Sequence, residues 1–117
     1  DIYNKVKKAL SIPGPKFIHI LAPCPPGWRI PSEKTVEIGK MAVKSGIWVL
    51  WEKEYDKFTV SAPSRAAMKR PVPVGEYLKA QGRFRKVDEK TAAVIQANVD
   101  KNLKKIALEA AQSEETE

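Results

Sequence analysis

Lys16-Phe-Ile-His-Ile-Leu-Ala-Pro-Cys-Pro-Pro-Gly-Trp28 opens as a β-branched, apolar run and ends in a proline-rich turn that carries the single cysteine, Cys24. Phe17, Ile18, Ile20, Leu21 and Ala22 populate both faces of the run, and His19 alone breaks it. An unbroken apolar run predicts a strand over 16–22 buried on both sides, as in a parallel sheet covered by helices. Pro23, Pro25 and Pro26 fix φ and remove three donors, so the ladder cannot continue through them. Cys24 is thereby placed on a stiff turn at the carboxyl end of a buried strand, where ligands gather in open α/β sheets.

Outward from that stretch, Ile2, Val6, Ala9 and Leu10 recur at helical spacing and predict a short helix stopped by Pro13-Gly14-Pro15. No start signal precedes it and the chain opens on Asp1, the look of a piece of something longer. After the cysteine turn, Ser32 is a good N-cap with Glu33 in the first turn. The helix it starts is expected over 33–45, with Val36, Gly39, Ala42 and Val43 inward and Gly46 as a left-handed closing residue. Residues 47–55 and 58–61 are aromatic and β-branched, with Tyr55-Asp-Lys-Phe58 as connection, and read as an antiparallel hairpin. Trp48 and Leu50 share one face of it, Val49 and Trp51 the other, and core packing is the expected fate of the tryptophans.

Residues 62–75, with Pro63, Pro71 and Pro73, read as an extended basic strap, and 76–81 as a short helical turn. Asp88 is expected to cap a long helix in which Ala92, Ile95, Val99, Leu103, Ile106 and Ala110 form one stripe. The tail 113–117 holds three glutamates and no hydrophobe, and is expected to be frayed.

A strand buried on both faces needs neighbours on both edges, yet the sequence offers no second run of that kind. Left alone, its ladder groups would go unpaired at about 1–3 kcal/mol each. The chain therefore reads as one end of a larger α/β domain, completing a sheet supplied by another segment or chain.

With 117 residues the chain suits one domain, and it has no apolar run near the ~20 residues of a membrane helix. A lone cysteine excludes an internal disulfide framework and suits a reducing, cytoplasmic setting. The net charge of +7 invites a nucleic-acid reading through Arg65, Lys69, Arg70, Arg83 and Arg85. Basic residues are otherwise spread along solvated helix faces, which weighs against it, so a stand-alone basic binding module is the alternative. A catalytically silent docking fragment is a third.

Cys24 itself has a bland reading, a small buried hydrophobe, although such a residue needs no three prolines and a glycine around it. Pairing with His19 as a base is rejected, because five extended residues separate the two by roughly 16 Å. A metal or cluster ligand is the third option: cysteine followed by proline recurs at iron–sulfur sites, with the other thiolates coming from outside this sequence. Phosphate loops, nucleophile elbows and His/Glu zinc pairs are absent from the sequence.

Ile20-Leu-Ala-Pro-Cys-Pro-Pro-Gly-Trp28, Thr35-Val-Glu-Ile-Gly-Lys-Met-Ala-Val43 and Glu76-Tyr-Leu-Lys-Ala-Gln-Gly-Arg-Phe84 together resemble the β subunit of 2-oxoacid:ferredoxin oxidoreductases. The pyruvate type (pyruvate synthase) is the nearer likeness and the branched-chain 2-oxoisovalerate type the second. The resemblance implies that residues 1–87 are the C-terminal part of a thiamine-diphosphate-binding α/β domain, with a cluster-ligand turn at 23–28, a C-terminal helix at 88–112 and the acidic tail 113–117. By motif, Cys24 would be the fourth ligand of a [4Fe–4S] cluster, while the family's other three cysteines and its magnesium-diphosphate motif lie outside this sequence.

The implied partners are the remainder of the β subunit, the other oxidoreductase subunits and ferredoxin, with coenzyme A and a 2-oxoacid as substrates. The implied activity is oxidative decarboxylation to an acyl-coenzyme A, with no catalytic residue in this chain. Backbone donors at Gly27 and Trp28 are expected to hydrogen-bond cluster sulfurs, and Trp28 either shields the cluster or plugs the core. Arg29 and Lys34 either offset the cluster's charge or sit at the surface. The roles of Arg83 and Phe84 are open.

Overall fold

The computed structural model describes residues 1–115, which form six α-helices, two short 3-10 turns and one antiparallel hairpin. Helix α1 (Ile2–Ser11) leads into a segment without regular structure, then the one-turn helix α2 (Pro25–Trp28). A 3-10 turn (Ser32–Lys34) opens α3 (Thr35–Lys44), followed by β1 (Trp51–Glu54), β2 (Lys57–Val60) and α4 (Ala62–Lys69). Helix α5 (Val74–Lys79), a second 3-10 turn (Gly82–Phe84) and the 27-residue α6 (Glu89–Glu115) complete the order. At 1.5 Å per residue α6 is about 40 Å long, and it sets the 45 Å long axis of the molecule.

Two apolar clusters line α6. Towards its start, Val99 and Leu103 close over Val74, Tyr77 and Leu78 of α5, Ile38 and Ala42 of α3, and Trp28 and Ile30. Towards its end, Ile106 covers Phe58 and Val60 of β2. The stripe read from helical spacing is thus the spine of the fold, each fully buried member contributing about 1.5–3 kcal/mol of transfer free energy. The Asp88 carboxylate accepts the Thr91 N–H at 2.7 Å, capping α6 as expected. Gly46 takes φ 75° after α3, and Leu103 Cδ1 would lie 2.7 Å from a Cβ there. It serves both as the left-handed closing residue and as the seat of α6.

The hairpin pairs Trp51 with Val60 and Lys53 with Phe58 across a two-residue turn in which Tyr55 is left-handed, φ 53°. Trp51 and Phe58, diagonal neighbours on one face, stack at 5.1 Å. Trp51 is 48% exposed, so core packing holds for Trp28 and in part for Trp48, and not for Trp51.

Four expectations need correction. The run 16–22 is not a buried strand. It has no regular secondary structure and no backbone pairing among the described residues, with Phe17 88% exposed and Ile18 and Ile20 also in solvent. Leu21 packs against the main core, but Phe17, Ile18 and Ile20 are left in solvent and the run's ladder groups find no backbone partner among the described residues.

The strap expected over 62–75 is α4 over its first half, because Pro63 falls in the opening turn, where a missing N–H costs nothing. Ser64 of that helix is buried and accepts the Leu50 N–H at 2.8 Å. Only 70–73 is extended, and there the Val72 N–H closes α3 by donating to Lys44 O.

In α3 the inward residues are Ile38 and Ala42, with Gly39 and Val43 half-buried and Val36 exposed. Ser32 makes no side-chain cap and instead begins the 3-10 turn that rotates the helix face. Helix α6 passes the boundary expected at 112 and stays helical to Glu115, because the Ser113 hydroxyl accepts the Phe58 N–H at 2.8 Å. The last two residues of the expected tail lie outside the described residues.

Helix α1 has the apolar spacing expected of it but buries no residue. Lys5 Nζ donates to Trp51 O at 3.2 Å, and Lys8 Nζ pairs with Glu52 at 2.9 Å and Glu54 at 2.6 Å. Charge pairs on the hairpin hold it in place.

Candidate functional site

Cys24 is the residue just ahead of α2, in extended conformation (φ −114°, ψ 101°), with its thiol free and exposed. Among the described residues nothing buries it as a small hydrophobe. Pro25 and Pro26 occupy the first two helical positions, where prolines are preorganised and their missing donors are unneeded. The turn closes when the Trp28 N–H donates to Cys24 O at 2.8 Å and the Ile30 N–H to Pro25 O at 3.1 Å. Arg29 ends it in the left-handed region at φ 54°, a conformation that costs a non-glycine residue roughly 1–2 kcal/mol.

Two glycines receive this turn. A Cβ at Gly39 of α3 would meet Pro23 Cγ at 3.4 Å, so Pro23 rests on the bare helix surface. A Cβ at Gly82 would stand 2.7 Å from Arg29 Cβ and 2.9 Å from Arg29 O, and the Gly82 N–H donates to that same oxygen at 3.1 Å. The cysteine turn is therefore wedged against α3 at one end and the second 3-10 turn at the other.

The segment Gln81-Gly-Arg-Phe84, distant in sequence, is thus brought onto Cys24-Pro-Pro-Gly-Trp28. The Arg83 guanidinium lies 3.8 Å from the Trp28 ring centroid and 4.5 Å from that of Phe84. Arg83 Nε donates to Gln81 Oε1 at 2.8 Å, and Gln81 Nε2 donates to Tyr77 O at 2.8 Å. Gln81 is 1% exposed, and both ends of its amide are satisfied. The sequence assigns no role to Gln81 and gives Arg83 one only in the alternative basic module, although both stand in a segment that carries the family likeness.

The other expected site residues divide. The Trp28 N–H is committed to Cys24 O, while the Gly27 N–H has no acceptor among the described residues. A Cβ at Gly27 would lie 3.6 Å from Cys24 Sγ, so bare backbone borders the sulfur. Trp28 is buried in the core beneath Arg83. Lys34 pairs with Glu37 at 2.8 Å on the surface. His19 is exposed and edges Trp48 at 4.7 Å between ring centroids. Of the residues in the alternative basic module, Arg83 is spent on two aromatic rings. A cavity of about 230 Å³ bounded by Phe58, Val60, Met68 and Ala110 includes none of the cysteine turn.

No group of three or more His, Cys, Asp or Glu side chains converges among the described residues. A metal centre held by Cys24 would take its remaining ligands from elsewhere. The turn fits that use: an exposed thiol on a rigid backbone, one uncommitted N–H next to it, and no side chain on the glycine beside the sulfur. No helix among the described residues is long and apolar enough to cross a membrane.

Mixed helices with one antiparallel hairpin are compatible with part of an α/β domain. No family model matches the chain. Among curated proteins it is 45% identical over 108 residues to pyruvate synthase subunit PorB of Methanocaldococcus jannaschii, covering 92% of this chain and 35% of that protein. It is 44% identical over 96 residues to ketoisovalerate oxidoreductase subunit VorB of Pyrococcus abyssi, covering 82% and 30%. The PorB subunit of Methanothermobacter marburgensis matches at 46% over 103 residues, covering 86% and 33%. The chain belongs to the β-subunit family of 2-oxoacid:ferredoxin oxidoreductases, and it spans about a third of the length of these relatives.

Proposed function

We propose that the chain is the sheet-completing, C-terminal part of the thiamine-diphosphate-binding β subunit of a pyruvate-type oxidoreductase, and that Cys24 gives one thiolate to its [4Fe–4S] cluster. The assembled enzyme would convert pyruvate, or a related 2-oxoacid, and coenzyme A into acyl-coenzyme A and carbon dioxide, passing two electrons to ferredoxin in the cytoplasm. Its partners are the rest of the β subunit and the other subunits. The observation that carries this reading is the exposed thiol of Cys24, held on a turn whose two supports come from the segments that resemble the family.

Thiamine diphosphate with magnesium, when bound, supplies the carbanion chemistry, and the cluster accepts the electrons. Within this chain, Cys24 offers its sulfur outward, and the Gly27 N–H is the donor free to stabilise a thiolate there. Pro25 and Pro26 bring no N–H to the site, and Trp28 keeps water from the turn's inner side. Residues 16–22 present unpaired backbone of the kind a sheet supplied by another segment or chain would take up.

Cys24→Ala in the assembled complex tests the assignment. Iron should fall by one cluster's worth and most ferredoxin reduction should be lost. Iron content equal to that of the parent enzyme would refute the ligand role.

A further inference from the structure

A buried glutamine is an expensive choice for a core position unless both ends of its amide are used. Gln81 uses both, and one of them is spent on orienting Arg83. Arg83 in turn commits only its Nε–H among the described residues and sets its Cζ over the Trp28 ring, 3.8 Å from the centroid. Trp28 is the residue whose N–H closes the turn on Cys24 O. A continuous set of contacts therefore runs from Tyr77 of α5 through Gln81, Arg83 and Trp28 to the cysteine.

We infer that Arg83, oriented by Gln81, is a positioning residue for Cys24: its stack on Trp28 fixes the single turn that aims the thiol and so sets the potential of the centre that the thiol holds. The inference rests on the ligand reading of Cys24 given above. Arginine is suited to this task because a planar guanidinium can stack by its face and donate in its plane at once, whereas a lysine ammonium cannot. Gly82, between Gln81 and Arg83, lets the segment approach Arg29 closely enough for the stack to form.

The test uses the assembled complex with Arg83→Gln, Arg83→Lys and Trp28→Phe, and Cys24→Ala alongside. Iron content, the midpoint potential and the electron-paramagnetic-resonance spectrum are read on the loaded complex. The rate of Cys24 alkylation by iodoacetamide is read after the clusters are removed. Both Arg83 variants are expected to retain iron, to displace the potential, to alter the spectrum and to speed alkylation about fivefold, the change that loss of one such stack sets.

Trp28→Phe keeps a ring in the core and weakens the stack, so it should give the same displacements at smaller size. It decides the matter if the Arg83 variants fail to assemble. Parent-like potential, spectrum and alkylation in these variants, with iron still lost in Cys24→Ala, would end the positioning role and leave the ligand reading intact. Full recovery in Arg83→Lys but not in Arg83→Gln would assign the effect to charge and overturn the stack. Undiminished iron in Cys24→Ala would remove both.

Discussion

The Gly82 N–H donates to Arg29 O at 3.1 Å across a gap with no room for a methyl group. The contact joins the turn after Cys24 to the segment after α5, and it is closer than any side chain at Gly82 would permit.

Gly82→Ala should therefore destabilise the protein by about 1–3 kcal/mol, the usual cost of overpacking against backbone that cannot move aside. Gly75, in the first turn of α5, has nothing within 4 Å of a Cβ and no left-handed φ. Gly75→Ala should stabilise by about 0.4–1 kcal/mol through the unfolded chain's lost freedom. Chemical denaturation of the two variants checks the pair, and equal signs would contradict the packing described.

Helix α1 depends on Lys8 meeting Glu54 and Glu52 at the surface. Hydrogen bonds to Glu54 first, then Glu52, push the Lys8 ammonium up to about 12 from 10.5. A raised lysine pKa stabilises the folded form fully below the unfolded value of 10.5, and that contribution disappears as pH rises through about 12. Lys8→Met should leave the two cores intact while α1 becomes more open to trypsin at Lys5 and Lys7. High salt should act in the same direction on the parent. An unchanged cleavage rate would mean that something other than these pairs holds the helix.

Asp88 behaves with the opposite sign. Hydrogen bonds from the Thr91 hydroxyl and then the Thr91 N–H hold its carboxyl below the usual 3.8. The cap therefore contributes above the unfolded pKa and is lost as pH falls through the depressed folded value. Asp88→Ala should lower the melting temperature at neutral pH, and the gap to the parent should close in strong acid. A gap independent of pH would assign the loss to something other than the charged cap.

Patterns local in sequence were legible without coordinates. Helical spacing gave the α6 stripe from Ala92 to Ala110, the Asp88 cap and the Gly46 stop, because each depends on neighbours three or four residues away. The hairpin was legible for the same reason, but its bounds were not: 47–50, with Trp48 and Leu50, precede β1, and the turn is Tyr55-Asp56, one residue earlier than expected. The cysteine turn, too, was legible as a stiff turn, since proline fixes backbone angles regardless of context.

Tertiary contacts decided the rest. Whether 16–22 is a buried strand depends on partners its own residues do not encode, and here Phe17, Ile18 and Ile20 stand in solvent while Leu21 alone of the run's large side chains reaches the core. Pro63 reads as a breaker until its place in the opening turn of α4 is known. The Arg83 stack on Trp28 joins segments far apart in the chain, through a glycine whose function is to be small. Local propensity acts over a few bonds, whereas close packing between distant segments exists only once the chain has folded.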